Sequence, residues 1–286
     1  FTQGMVTHQT YRSADGRWLS PEEVREEAGA WIDLAGQPVT AGRVEKMSKS
    51  KKNVIDPQVI IESYGADCAR LFMLSDSPPE RDLEWTEAGI DGAWRYLNRI
   101  WRLYDERLAA LAPTGTAAPE PLSEQARELE RLLNVTVDRV SDALERFRFN
   151  KAVAQVRELT NALEEFDVGD PAAPALFREA LDVTARLLAP MTPHLAEELW
   201  ERLGHADLVA DAPWPEADPA WLAAGTVTVA VQVNGKRRAE LALPAGADET
   251  QAREAALALD NVQRAMGGKP ARKVIVVPDR IVNVVV

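Results

Sequence analysis

One cysteine, Cys68, stands among the 286 residues. That excludes a disulfide framework and a cysteine-based zinc site within the chain, and it fits a reducing, cytoplasmic setting. Apolar runs are short as well. None approaches the roughly 18 residues of a membrane span, so no membrane partner is expected. Phe1 to Thr10 carries neither a signal-peptide nor a transit-peptide pattern, and Phe1 stands where an initiator Met would be. The chain is therefore expected to start inside a longer protein. Positive charge is in deficit overall, with 33 Lys and Arg against 45 Asp and Glu and a formal net charge of −12. This argues against a surface coated in phosphate-binding cations. The total hides an asymmetry, however. From Ala224 to Val286 nine cations face six anions, a net of +3, which leaves −15 on residues 1–223. A basic tail on an acidic body points to nucleic-acid contact made locally.

A second basic concentration lies inside the acidic body. Arg43-Val44-Glu45-Lys46-Met47-Ser48-Lys49-Ser50-Lys51-Lys52 holds five cations and one anion in ten residues. No apolar stripe runs through it, two hydroxyls alternate with its lysines, and Asn53 and an Asp56-Pro57 helix start close it. A loop of ammonium donors suits a polyphosphate. The plain alternative is a solvated basic loop.

Residues 1 to about 85 mix short elements and read as the last part of an α/β domain. Phe1 to Tyr11 reads as a strand end before a turn at Asp15-Gly16. Ser20-Pro21-Glu22-Glu23 predicts a short helix with Ser20 as N-cap and Glu23 closing a capping box. Gln37 to Glu45 is extended. Asp56 caps a helix from Pro57 that Gly65 stops, and Asp67 caps the next, through Met73. Cys68 is expected on a helix flank as a small core residue.

From Thr86 to Leu203 the apolar period becomes 3.6. The first stripe is Ile90, Trp94, Leu97 and Trp101, and Leu129 to Phe147 carries the second. Val153 to Phe166 follows behind an Asn150 cap, Leu176 to Leu187 makes the fourth, and Thr192-Pro193 opens the fifth helix through Leu203. Polar outer faces predict an antiparallel bundle of five helices, with Ala112 to Pro121 as a connection and the tryptophans as core. His194, in the first turn of its helix, is read as structural. Gly204 to Gly225, with Pro213, Pro215 and Pro219, marks a domain boundary. Beyond it Val227, Val229, Val231 and Val233 alternate with polar or small residues, Asn234-Gly235 signals a hairpin, and Lys236 to Leu243 returns. Asp248 and Gln251 form a capping-box pattern for a helix through Leu259. Lys273–Val277 and Ile281–Val286 are strands around a Pro278-Asp279 turn. The order is ββαββ.

Lys46-Met47-Ser48-Lys49-Ser50 matches, letter for letter, the signature loop of class I aminoacyl-tRNA synthetases. The continuation through Asp56-Pro57, Tyr64-Gly65-Ala66-Asp67 and Arg70-Leu71-Phe72 resembles that family too. Phe149-Asn150-Lys151-Ala152, Met191-Thr192-Pro193-His194 and Glu198-Leu199-Trp200 resemble its anticodon-binding bundle. Phe1 to Val6, Asp82-Leu83-Glu84-Trp85, Val233-Asn234-Gly235-Lys236, Arg272 to Pro278 and Val282 to Val286 resemble the bacterial leucyl-tRNA synthetases. The resemblance covers essentially the whole chain.

The resemblance implies a fold that is mainly α with α+β modules. Residues 1–85 would end a class I catalytic domain, 86–223 would be the helical bundle and linker, and 224–286 a small tRNA-binding ββαββ domain. It implies an aminoacyl-tRNA ligase that activates leucine with ATP and transfers it to its tRNA. Lys46 and Lys49 would be the catalytic phosphate lysines, within an ATP-binding set of Lys46, Met47, Ser48, Lys49 and Ser50. Negative charge builds on phosphoryl oxygens in that transition state, and preorganised cations lower its energy. Lys51 and Lys52 would give general electrostatics or acceptor-stem contacts. Lys236, Arg237, Arg238, Arg264, Lys269, Arg272, Lys273 and Arg280 would meet tRNA. ATP enters as substrate with Mg2+ in the full-length enzyme, no metal site is expected in this chain, and the protein would act as a monomer. The family's His-Ile-Gly-His-type helix start, its editing insertion and its amino-acid pocket are not in this sequence, so the chain alone is expected to be inactive. Between Gly4 and Lys46 it is shorter than relatives carrying an extra inserted module. Two alternatives remain at this point: a valyl, isoleucyl or methionyl enzyme, and a stand-alone tRNA-binding module.

Overall fold

The computed structural model describes residues 3–222, 226–244, 247, 249–277 and 280–286. Spatial contacts divide the chain into two compact units, Phe1–Leu129 with Thr136–Pro215, and Glu130–Val135 with Glu216–Val286.

The first unit opens with β1 (Val6–Ser13), which turns through Gly16 into β2 (Trp18–Leu19). A hairpin of β3 (Val24–Glu27) and β4 (Ala30–Asp33) follows, then β5 (Val39–Lys46). The sequence gives no sign of this hairpin, since Val24 to Asp33 has no clear alternation. The sheet order is β2-β1-β5, and β6 (Leu83–Glu84) pairs parallel with β1. Gly42 is needed where β5 crosses β1, because a Cβ there would stand 2.5 Å from Thr10 Oγ1. Ser20 to Glu23 forms only one 3-10 turn rather than an α-helix, with Glu23 accepting the Ser20 N–H at 2.9 Å.

Helices α1 (Pro57–Tyr64), α2 (Ala66–Asp76) and α3 (Glu87–Arg107) lead into the bundle, completed by α4 (Glu124–Glu145), α5 (Phe149–Glu165), α6 (Ala173–Leu188) and α7 (Pro193–Arg202). Asp56 accepts from Gln58 N at 2.9 Å, as its place before Pro57 predicts. Two other expected caps are corrected. Asp67 lies inside the first turn of α2, behind Gly65, and Asn150 lies inside α5, behind Arg148. The apolar stripes bury Ile90, Leu97, Val140, Val156, Leu163, Leu181 and Leu187, and Cys68 is fully buried on α2. Helix α2 joins the bundle, packing on α3, α5 and α7. Arg70 ties it further by donating to the carbonyls of Pro190 at 2.8 Å and Met191 at 3.1 Å. Trp94 and Trp101 correct the sequence reading. They are 43% and 36% exposed, because the buried face of α3 runs through Ile90, Ala93, Leu97, Ile100 and Tyr104 instead.

In the second unit, after α8 (Pro219–Leu222), β7 (Thr226–Val233) and β8 (Lys236–Pro244) form a hairpin across Asn234-Gly235, both at positive φ. The sequence predicts one helix before the last strands. Two are present, α9 (Glu249–Leu257) and α10 (Asp260–Met266), because Asp260 opens a second helix immediately after the first one ends. β9 (Lys273–Val277) and β10 (Ile281–Val285) complete a sheet of order β8-β7-β10-β9, with β10 parallel to β7. Val229, Val231, Val233, Val274, Val282 and Val284 bury one sheet face against Ala252, Ala256 and Val262 of the helices. The expected Asp248 cap, the Pro278-Asp279 turn and the first two residues of the opening strand lie outside the described residues.

Candidate functional site

The lysine segment is a strand end followed by a turn. Lys46 closes β5 opposite Thr7 of β1, and Met47 N donates to Val6 O at 3.3 Å. Lys49–Lys51 forms a single 3-10 turn in which Lys51 N donates to Ser48 O at 3.1 Å and Lys52 N to Lys49 O at 3.3 Å. Lys52 ends it in the left-handed region at φ +55°. The hydroxyls of Ser48 and Ser50 bond one another at 2.8 Å.

Ion pairing sorts the four lysines. Lys51 Nζ donates to Glu45, and Lys52 Nζ donates to Glu23 at 3.0 Å. The Ser20 N–H, with the Lys52 ammonium second, holds the Glu23 carboxyl down to about 2. Glu45 is lowered chiefly by its bond to Lys51. Among the described residues no carboxylate pairs with Lys46 or Lys49, and both are exposed. Met47 and Ser48 are half-buried between them, and Ser50 is exposed. The five residues named from the sequence therefore form one short ledge carrying two unpaired ammonium groups. Such a ledge can grip an anion without first breaking an ion pair.

The sequence marks Asn53 only as the end of the lysine segment. In the fold it is fully buried, and its side-chain Nδ2 donates to the carbonyls of His8 at 3.0 Å, Glu45 at 3.2 Å and Lys46 at 3.4 Å, while Oδ1 accepts the Ser48 N–H at 2.9 Å. A polar residue seven positions after a signature lysine gives no periodic signal, so only the fold reveals it.

The eight basic positions of the second unit named from the sequence as tRNA contacts are all exposed. Lys236, Arg237 and Arg238 open edge strand β8, while Arg272 precedes and Lys273 starts the opposite edge strand, β9. Register aligns Lys236, Val233, Val284 and Val274 across the sheet, so the two groups share one end of it, about 14 Å apart. Arg280 stands about 13 Å further along, before β10. Arg264 is on α10, and Lys269 follows it in the connection to β9. Arg237 pairs with Glu240, and Arg264 bonds Asn261. The structure therefore gathers Lys236, Arg237, Arg238, Arg272 and Lys273 and leaves Arg280 apart.

A cleft of about 420 Å³ lies elsewhere in the first unit, lined by Tyr64, Asp67, Trp94, Asn98, Trp101 and His194 among others. His194 keeps 78% of its side chain exposed there, with Nδ1 2.9 Å from Asp67 Oδ1. Among the described residues no group of three or more His, Cys, Asp or Glu is placed to hold a metal.

Residues 37–86 match the family of class I tRNA synthetases for isoleucine, leucine, methionine and valine, and residues 126–253 match the anticodon-binding domain of tRNA ligases. Curated relatives align along the whole chain. A leucine–tRNA ligase of Paramagnetospirillum magneticum is 60% identical over 287 aligned residues, and one from Rhodospirillum centenum is 53% identical over 298. Over its whole length the chain is a homologue of the C-terminal part of leucine–tRNA ligases. It spans about a third of the length of those ligases, 33% and 34%. The fold agrees as well: a solved Agrobacterium radiobacter LeuRS, in a ternary complex with tRNA and LeuAMS, matches all of this chain and 33% of its own, with a TM-score of 0.67 and 30% identity. The sequence expectation of a leucyl-tRNA synthetase C-terminal region with α+β architecture is met.

Proposed function

We propose that this chain supplies the C-terminal portion of a leucine–tRNA ligase, which activates leucine with ATP and transfers it to tRNA(Leu). Lys46 and Lys49 hold the phosphates as the carboxylate of leucine attacks the α-phosphate and pyrophosphate leaves. Met47, Ser48 and Ser50 shape the ledge that carries the two lysines. ATP enters as its Mg2+ complex, and the metal offsets charge on the polyphosphate. Residues 1–85 end the catalytic domain, 86–223 form the tRNA-facing bundle and 224–286 the tRNA-binding tail, in a monomer of the cytoplasm. The basic positions of the tail serve as phosphate contacts.

The single observation that carries this reading is the sorting of charge on the ledge. Lys51 and Lys52 are committed to Glu45 and Glu23, whereas Lys46 and Lys49 face outward unpaired. A merely solvated basic loop gives no reason for that division. The whole-length likeness to leucine–tRNA ligases supports the choice of amino acid over the valyl, isoleucyl and methionyl alternatives.

Leucine-dependent pyrophosphate exchange by the full-length protein, wild type against Lys49→Ala, tests the reading. Loss of one donor to the developing charge lowers the rate by about 10²–10³-fold. A rate within twofold of wild type overturns the role of Lys49. By the same reading, the 286-residue chain alone gives no exchange above a blank.

A further inference from the structure

Asn53 is polar, fully buried and bonded at both ends of its amide, and nothing in the charge pattern of the ledge requires it. Its amide reaches three separate pieces of backbone. The Nδ2 donor side spans His8 on β1 and the Glu45 and Lys46 carbonyls at the end of β5, and the Oδ1 acceptor side holds the Ser48 N–H. Ser48 in turn accepts from Lys51 N, which closes the turn that carries Lys49. One side chain therefore clamps the peptide at Lys46 and, through Ser48, sets where the turn with Lys49 begins. Its partners are the backbone of the ledge and of the neighbouring strand β1.

We propose that Asn53 is the positioning residue of the phosphate ledge, holding Lys46 and Lys49 at the separation a nucleoside triphosphate needs. The proposal rests on the reading of Lys46 and Lys49 as phosphate lysines and adds to it the group that sets their geometry. Both faces of the amide are required. A carboxylate of the same shape keeps the acceptor for Ser48 N–H but turns an oxygen toward the carbonyls of His8, Glu45 and Lys46, so the donor half is lost and repulsion replaces it. A misplacement of about 1 Å in a group acting on the transition state slows a reaction by about 10²-fold without altering the binding of a reactant held elsewhere.

The experiment is pyrophosphate exchange by the full-length protein in four forms: wild type, Asn53→Asp, Asn53→Ser and Lys49→Ala. The first readout is kcat and the KM values for ATP and leucine, and the second is thermal unfolding. Asn53→Asp is expected to lower kcat by about 10²-fold with the KM for leucine unchanged. Asn53→Ser retains one small donor and acceptor and is expected to fall between. If both Asn53 variants are folded and keep kcat within twofold of wild type while Lys49→Ala collapses, the positioning role is overturned and the reading of the lysines stands. If Lys49→Ala is itself normal, the reading of the ledge fails, and the positioning role fails with it. Loss of the folded state in both Asn53 variants also overturns the proposal, since it would make Asn53 a determinant of folding.

Discussion

Asp67 caps a helix to which it does not belong. It sits in the first turn of α2, yet its Oδ2 accepts the backbone N–H of Leu195 at 2.7 Å, the third residue of α7, while Oδ1 faces His194 Nδ1 at 2.9 Å. The first N–H groups of a helix have no partner within it, and a carboxylate there also meets the positive end of the helix dipole. The N-cap of α7, Thr192, makes no side-chain cap bond, so Asp67 supplies one across 128 residues of chain. It is one of the few buried acidic residues, and this contact is the physical reason it is tolerated there.

Replacing Asp67 with Ala should therefore destabilise the chain by about 0.5–2 kcal/mol, the cost of a lost cap that leaves the half-buried Leu195 N–H without its partner. Urea unfolding measures it. His194→Ala should cost far less, because that side chain is mostly in solvent. Equal effects of the two would mean that the imidazole, rather than the Leu195 N–H, is the partner that matters.

The tail should make salt-sensitive contact with tRNA. Lys236, Arg237 and Arg272 replaced together by Gln in the full-length protein should weaken tRNA(Leu) binding. The plot of log affinity against log salt should flatten by about 0.7–0.9 for each phosphate no longer neutralised. The opposing view has a structural basis: Lys236 and Arg237 lie on one edge strand and Arg272 beside the other, where cations discourage edge-to-edge association. Filter binding at several salt concentrations separates the two, and an unchanged slope removes these residues from the RNA interface.

Cys68 should be inert in the native state. Burial, with the nearby Asp91 second, pushes its thiol up to about 11, and its Sγ donates to Ile90 O at 3.5 Å. The thiolate is the reactive form, so alkylation by iodoacetamide at pH 8 should be slow in buffer and fast in denaturing urea. Rapid labelling of the folded chain would contradict the burial of α2 in the bundle.

Glu23 should lend the ledge acid-sensitive support. Its folded carboxyl titrates at about 2 against an ordinary value of 4.5, so the unfolded chain binds that proton more tightly. The resulting stabilisation is full above pH 4.5 and is lost as pH falls toward 2. The gap in urea midpoint between wild type and Glu23→Gln should accordingly be larger at pH 6 than at pH 3. A gap that does not change with pH would mean that the bonds from Ser20 and Lys52 contribute nothing net.

Much of the fold is readable because it is written in local periods. The 3.6-residue stripes of α4 to α7, the alternating valines of β7, and Asn234-Gly235 each specify their element through neighbouring residues alone. The order Lys46 to Ser50 and its continuation likewise name the ledge before any coordinate. What sequence reading misses depends on partners far along the chain. Asp67 looks like a cap for its own helix because a capping pattern carries no information about which helix end will come near. Trp94 and Trp101 fall on the apolar stripe of α3, but where α2 and α5 pack on that helix decides which side is covered. Asn53 looks like the end of a loop, and its role requires β1 to lie beside β5. Which lysines stay free is decided the same way, since Glu23 reaches Lys52 across 29 residues only when the fold brings them together. Local propensity and motif order act over a few residues and survive in the sequence as pattern. Burial, ion pairing and long-range caps are properties of which surfaces meet, and the tertiary structure alone determined those.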